Sequence, residues 1–285
     1  MARSSPLISA DNLAAEISNS GLRVLDCRFD LQEPAAGRAD YEAAHIPGAV
    51  YADLDKDLAA APGPGSGRHP LPDPAELAKT FGGMGIDTDT RVVVYDDCSG
   101  ALASRAWWLL RWLGHDQVLL LDGGFSSWQR SRLPVETGAN RAAATVFVGA
   151  PRDQMVLETS DVVARNDKAV DLRLVDARDA ARFSGATEPI DAVAGHITVA
   201  VNLPFSENLD ASGYWRGPAE LRRNMKRVLG SDLSSPWGVM CGTGVTACHH
   251  VVSALVAGLS EPRLYVGSWS EWITDPERPV ASGPV

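Results

Sequence analysis

Three short motifs occur twice in this 285-residue chain, and in the same order. "RVLDCR" (23–28) returns as "RLVDAR" (173–178). "HIPGAV" (45–50) returns as "HITVAV" (196–201), and "LDGGFSSW" (121–128) as "YVGSWSEW" (265–272). The offsets are 150, 151 and 144 residues. Long-period self-similarity constrains the fold more than any composition does, because whatever one copy forms the other must form as well. A period of about 150 residues is one domain of ordinary size, built twice.

Each copy alternates strand and helix patterns. In the first, "RVLDC", "GAVYA", "RVVVY" (91–95) and "QVLLL" (117–121) are short β-branched and apolar runs, and "ALASRAWWLLRWLG" (101–114) has apolar residues at helical spacing before a Gly stop. In the second, "LRLVD", "VAVNL", "WGVM" and "RLYVG" are the strands and "VTACHHVVSALVAGL" (245–259) the helix. Short apolar strands separated by helices predict an α/β fold, each domain a mainly parallel sheet flanked by helices on both faces. The expected division is a first domain over 1–137, a Pro-, Gly- and Ala-containing linker over 138–155, and a second domain over 156–285. Trp107, Trp108 and Trp112 fall at core positions of the first helix.

A net charge of −10 argues against nucleic acid as a partner. No apolar run approaches the ~20 residues of a membrane span, and the first residues lack a continuous apolar stretch, so neither a membrane anchor nor a signal peptide is expected. The four cysteines, Cys27, Cys98, Cys241 and Cys248, are too few for a disulfide scaffold. A reducing cytoplasm is the expected location, where an unusual cysteine is more often catalytic or metal-binding than structural.

Cys241 is unusual. "WGVMCGTGVTACHH" reads strand, loop, helix, with the cysteine just past the carboxyl end of the strand, where open α/β sheets place their ligand sites. Gly242 and Gly244 open backbone conformations closed to other residues. Successive N–H groups of Gly242, Thr243, Gly244, Val245 and Thr246 can then converge as an anion-binding nest at a helix N-terminus. A thiol at that point is expected to have a lowered pKa. Carried back on the offset of 144, position 241 falls on Asp97, so the first copy has a carboxylate in place of the nucleophile. "DDCSGALAS" lacks the Gly-x-Gly spacing, which leaves Cys98 a minor candidate.

The duplicated domain, "HIPGAV", "LDGGFSSW", "GSWSEW" and above all "CGTGVTACH" resemble the tandem-domain rhodanese-family sulfurtransferases over nearly the whole chain. The resemblance implies two tandem rhodanese-like domains, the first catalytically silent and the second catalytic. It implies that Cys241 carries sulfane sulfur as a persulfide from a small donor to a thiol or cyanide acceptor, with no cofactor and no metal, and with a thioredoxin-like protein as a candidate reductant. In this family Gly-Thr or Gly-Ser after the cysteine goes with 3-mercaptopyruvate and a basic pair with thiosulfate, so Gly242 and Thr243 favour 3-mercaptopyruvate. Relatives pair the loop hydroxyl with a His and an Asp of the other domain. By position these are His69 and Asp55, beside Thr243, although residue context alone reads Asp55 as a solvated acidic face and His69 as a surface histidine. Arg182 in "AARFSG" matches one of two arginines that hold the donor carboxylate. The stretch expected to carry the second, "TEPIDAVAGH", has no arginine, which weakens the donor assignment. Arg178 is read as structural, like Arg28.

Four other functions compete. A thiosulfate:cyanide sulfurtransferase, or a sulfur-relay module acting on a protein acceptor, keeps the same cysteine. A cysteine phosphatase needs an Arg six positions after the nucleophile, and residue 247 is Ala. A zinc site from Cys241, Cys248, His249 and His250 would need consecutive helical residues to converge on one ion.

Overall fold

The computed structural model describes residues 5–167 and 171–283. Two compact units emerge. Unit 1 comprises residues 1–60, 71–152 and 211–215, and unit 2 comprises 61–70, 153–210 and 216–285. Each holds a five-stranded, all-parallel sheet. In unit 1, β1 (Leu7–Ile8), β2 (Leu22–Asp26), β3 (Val50–Tyr51), β4 (Arg91–Tyr95) and β5 (Val118–Leu121) lie in the order β1-β5-β4-β2-β3. In unit 2, β6 (Val156–Leu157), β7 (Arg173–Asp176), β9 (Ala200–Asn202), β10 (Trp237–Met240) and β11 (Arg263–Tyr265) lie in the order β6-β11-β10-β7-β9. A short β8 (His196–Ile197) pairs antiparallel with β12 (Val280–Ala281).

The two orders are the same once the strands are matched, so the sequence repeat is a structural repeat. The eight strands expected from apolar runs are all present, each within about two residues of the quoted run. They are buried on both sides, which is why they read as continuous apolar segments and not as alternating ones. Helices connect them: α1 (Ala10–Glu16), α2 (Ala36–Ala43), α3 (Pro74–Gly83), α4 (Ala103–Trp112) and α5 (Gly124–Arg130) in unit 1, then α6 (Thr159–Asn166), α7 (Ala180–Ser184), α8 (Pro218–Leu229), α9 (Cys248–Val256) and α10 (Ser268–Trp272) in unit 2. Their starts follow local chemistry. Asp73 caps α3 by accepting from the N–H groups of Ala75 and Glu76, with Pro74 at the first helical position. Trp107, Trp108 and Trp112 of α4 are buried, as expected of core residues.

Both units contain the same buried ion pair at the carboxyl end of a central strand. Asp26 is bonded to Arg28 through both Nε and Nη2, and the guanidinium also donates to Ala44 C=O and lies over Phe125. Asp176 and Arg178 repeat this, with Gly195 C=O and Trp269 as the further partners. This bears out the structural reading of Arg178 by analogy with Arg28.

Residues 138–152 belong to unit 1 and pack on it. Thr145 N–H donates to Gly82 C=O at 2.9 Å, Ala150 N–H to Leu113 C=O at 3.0 Å and Arg152 N–H to Trp112 C=O at 2.8 Å. Phe147 is buried, its ring 5.8 Å from those of Phe81 and His115. The segment forms no regular element, so its weak periodicity suggested a loose connector, while a single anchoring aromatic and long-range backbone bonds tie it down. The division into units is also discontinuous in sequence: 61–70 and 211–215 each belong with the unit other than that of their neighbours.

Residues 138–152 are therefore expected to resist limited proteolysis in the native protein. Phe147→Ala should cost about 3 kcal/mol in stability and make this segment the first site of cleavage; a cleavage pattern identical to that of the unaltered chain would contradict the anchoring role.

Candidate active site

Cys241 follows β10, the middle strand of the unit 2 sheet, and is 2% exposed. Its backbone is held from two sides. Its N–H donates to Ser268 Oγ at 3.1 Å, and its C=O accepts from Trp269 N–H at 3.0 Å. Thr243 N–H donates to Cys241 Sγ at 3.4 Å, turning the loop back onto the sulfur. Gly244 makes that turn possible: its φ is +75°, and a Cβ there would lie 2.4 Å from Val266 C=O. Val245 and Thr246 complete the loop, their carbonyls accepting from Cys248 and His249 N–H as α9 begins. Ser268 carries no mark in the sequence. It sits at φ +51° where its repeat partner is Gly124, at +56°, so the site retains a strained serine for the oxygen that holds Cys241.

The repeat shows what this loop is built to hold. Strand register pairs Asp26 with Tyr95 in unit 1 and Asp176 with Met240 in unit 2. The residue that corresponds to Cys241 is therefore Asp96, and the expectation of Asp97 is off by one, because a one-residue length difference separates the strand from the later motif that set the offset. Asp96 is fully buried. Its Oδ1 accepts from Cys98 and Gly100 N–H at 3.0 and 2.8 Å, and its Oδ2 from Leu102 and Ala103 N–H at 2.8 Å each. The unit 1 loop is thus a nest of four N–H groups filled by its own carboxylate. Cys98 occupies the position of Thr243. Cys98 is exposed at the surface, yet the crowding of its thiol and then the Asp96 and Asp97 carboxylates beside it push that thiol upward, the opposite of what a reactive cysteine needs.

Charged groups gather beside Gly242. Arg182, on α7, binds Glu188 through Nε (3.0 Å) and Asp191 through Nη2 (2.9 Å). Arg178 reaches Glu188 at 3.5 Å. Burial opposes the charge of Arg178, but Asp176 and Glu188 outweigh it. Glu188 is also penalised by burial, yet Arg182 and the N–H groups of Asp191 and Ile190 hold its carboxyl below the ordinary range. The stretch "TEPIDAVAGH", which lacks an arginine, instead supplies these two carboxylates. The second arginine near the loop is Arg68, which pairs with Asp191. No local signal marked Arg68, Glu188 or Asp191; Arg68 and Asp191 lie 123 positions apart.

His69 is buried and belongs to unit 2, the unit of Cys241 and Thr243, whereas Asp55 belongs to unit 1. Asp55 is exposed. The buried carboxylate of its stretch is Asp53, which accepts from the N–H groups of Asp55 and Lys56 and pairs with Lys56 Nζ at 2.8 Å. Cys248, His249 and His250 are packing residues. Asn208 Nδ2 donates to Nδ1 of both histidines at 3.0 Å, and His250 Nε2 donates to Leu203 C=O at 2.7 Å. Burial lowers the His250 pKa to about 4, so its ring is neutral. Among the described residues no cluster of His, Cys, Asp and Glu could hold a metal ion.

Two copies of the Rhodanese-like domain family match the chain, at residues 9–131 and 159–275. The chain is 46% identical to a probable 3-mercaptopyruvate sulfurtransferase of Pseudomonas aeruginosa, covering 98% of this chain and 99% of the other. It is 39% identical to the putative thiosulfate sulfurtransferase SseB of Mycobacterium tuberculosis, covering 99% of each. Among solved structures, SseA from Escherichia coli, described as a 3-mercaptopyruvate sulfotransferase, matches with a TM-score of 0.82 and 30% identity over 94% of this chain and 100% of that one.

Asp96→Ala should leave buried N–H groups unsatisfied and lower unfolding stability by about 3 kcal/mol, with Asp96→Asn intermediate; a urea midpoint unchanged in Asp96→Ala would remove the nest assignment. A pH dependence is expected from His250, which is neutral in the fold but protonates near pH 6.5 when unfolded. The unfolded state binds the extra proton between pH 6.5 and about 4, so stability is full above 6.5 and falls across that window. His250→Gln should flatten this acid limb in pH-dependent denaturation.

Proposed function

The chain belongs to the rhodanese-like family and is a sulfurtransferase, and we propose that Cys241 is its sulfur carrier and 3-mercaptopyruvate its favoured donor. The observation that carries the first part is the Asp96 nest. The same loop, in the unit without the cysteine, binds a full negative charge through four N–H groups. With cysteine at that position, the loop is suited to hold the outer sulfur of a persulfide anion. Unit 1, its nest already filled, is the silent copy.

In the first half-reaction the Cys241 thiolate attacks the donor sulfur. The carbon–sulfur bond breaks, its electron pair passes to the pyruvate enolate, and the donor's sulfhydryl proton goes to that carbon. This leaves Cys–S–S⁻ and pyruvate. An acceptor thiolate or cyanide then takes the outer sulfur and restores the thiolate, so ping-pong kinetics are expected. A thioredoxin-like protein would serve as a protein acceptor or reductant. Thr243, assisted by His69 of the same unit, is proposed to stabilise the developing enolate. Gly242 and Thr243 bring no positive charge for a dianion, which favours the keto acid over thiosulfate. Four free cysteines suit a reducing cytoplasm, and no helix among the described residues is long and apolar enough to cross a membrane.

Donor treatment should add one sulfur to the peptide that contains Cys241, read by mass spectrometry, and Cys241→Ser should abolish turnover with either donor. Should the label appear on Cys98 instead, the carrier assignment is wrong. On one preparation, kcat/KM for 3-mercaptopyruvate should exceed that for thiosulfate; the reverse order would overturn the donor and leave the sulfurtransferase intact.

A further inference from the structure

We propose that Asn208 is a positioning residue for the Cys241 loop: the two hydrogens of its one amide hold His249 and His250, and so fix the start of α9, where the loop ends. The proposal rests on the carrier reading of Cys241 above and adds to it a residue outside the loop.

The repeat shows why the start of α9 matters. In unit 1, two of the four N–H groups that hold Asp96 belong to Leu102 and Ala103, at the start of α4. With Asp96 matched to Cys241, these correspond to Ala247 and Cys248 at the start of α9. His249 and His250 are the next two residues. Whatever holds their side chains therefore sets where two of the nest's N–H groups point.

Asn208, His249, His250 and Ser253 are all fully buried. His250 Nε2 lies 2.7 Å from Leu203 C=O, which can only accept, so the ring carries its proton there. The ring is neutral, its pKa lowered to about 4 by burial, which leaves Nδ1 as an acceptor. Asn208 must then present its NH2 group, and it does so to Nδ1 of both rings at 3.0 Å. Ser253 Oγ donates to the amide oxygen at 3.1 Å, so the other end of the amide is fixed as well. Asn208 is anchored in turn. Its C=O accepts from Arg216 N–H at 2.9 Å, and Leu203 and Phe205 N–H donate to Asp176 and Ala177 C=O at 3.0 Å each. Hydrogen bonds thus tie the end of β7 to residues 203–208, and these to the start of α9.

Unit 1 keeps the arrangement with different chemistry. Strand register pairs Asp176 with Asn202 and Asp26 with Tyr51, so Leu209 matches Leu58. Arg105 is the third residue of α4, as His250 is of α9. It is fully buried, and its Nε donates to Leu58 C=O at 3.4 Å. In both copies a buried polar side chain of the first helical turn is tied to the segment that follows the edge strand. Burying polar side chains gains little stability over apolar packing of the same shape, so orientation is what the network contributes.

The test uses the full-length protein and its Asn208→Leu and Asn208→Ala variants, which leave every residue of the loop in place. Cys241 is alkylated with iodoacetamide at neutral pH and followed by mass spectrometry, with the exposed Cys98 of unit 1 as internal reference. Iodoacetamide is uncharged and reacts with the thiolate, which the loop N–H groups favour. With the start of α9 released, alkylation of Cys241 should slow about 10- to 100-fold, while that of Cys98 is unchanged. kcat/KM should fall by a similar factor for 3-mercaptopyruvate and for thiosulfate, because the loop serves either donor. A purely structural role gives the opposite sign, since a loosened core exposes the buried Cys241 and speeds its alkylation. Alkylation of Cys241 that is faster than in the unaltered protein, or within twofold of it, in Asn208→Leu overturns the proposal; if that variant does not fold, the same result in Asn208→Ala does so. Failure of the carrier assignment is read separately, as added sulfur on a residue other than Cys241 in the unaltered protein after donor treatment.

Discussion

A buried carboxylate–guanidinium pair at the end of a central strand underlies both units. Taking both charges out of water is expensive, and only tight pairing with further hydrogen bonds offsets the cost. Asp176 and Arg178 meet that demand. The guanidinium bonds its carboxylate twice over, reaches Gly195 C=O and lies over the Trp269 ring. It therefore ties the end of β7 to the approach to β8 and to α10. Trp269 in turn donates its backbone N–H to Cys241 C=O. The Cys241 loop hangs from this pair, and losing either partner would leave a charge unmatched beneath it.

The second theme is divergence inside a shared frame. Asp96 and Cys241 stand at the same place in two sheets of the same order. In one the loop N–H groups are satisfied permanently by a carboxylate on the chain itself. In the other the residue is a thiol, which accepts from Thr243 N–H. One position thus separates a loop filled by a carboxylate of its own from a loop that turns onto a thiol.

Much of the fold was legible because parallel strands buried on both faces leave an unmistakable apolar signature, and because every pattern occurred twice. The loop cysteine was legible for a related reason: glycines at 242 and 244, just after a strand, mark a backbone that must turn sharply around the residue before them. Segments without periodicity were less so. Residues 138–152 read as a connector, yet the backbone bonds of Thr145, Ala150 and Arg152 and the ring of Phe147 attach them to unit 1. Counting residues from a later motif placed the silent counterpart at Asp97, and only strand register moved it to Asp96.

The sequence by itself determined the duplication, the α/β class, the strand–loop–helix around Cys241 and the family, because each is written in contiguous residues whose spacing has a direct physical meaning. Tertiary structure alone decided what surrounds that cysteine. Arg68, Asp191 and Ser268 come from three segments far apart in the chain, and an arginine in a Gly- and Pro-rich loop carries no local mark of its destination. Charges are matched in space and not along the chain, so the pairing of Arg68 with Asp191 could be seen only once the chain was folded.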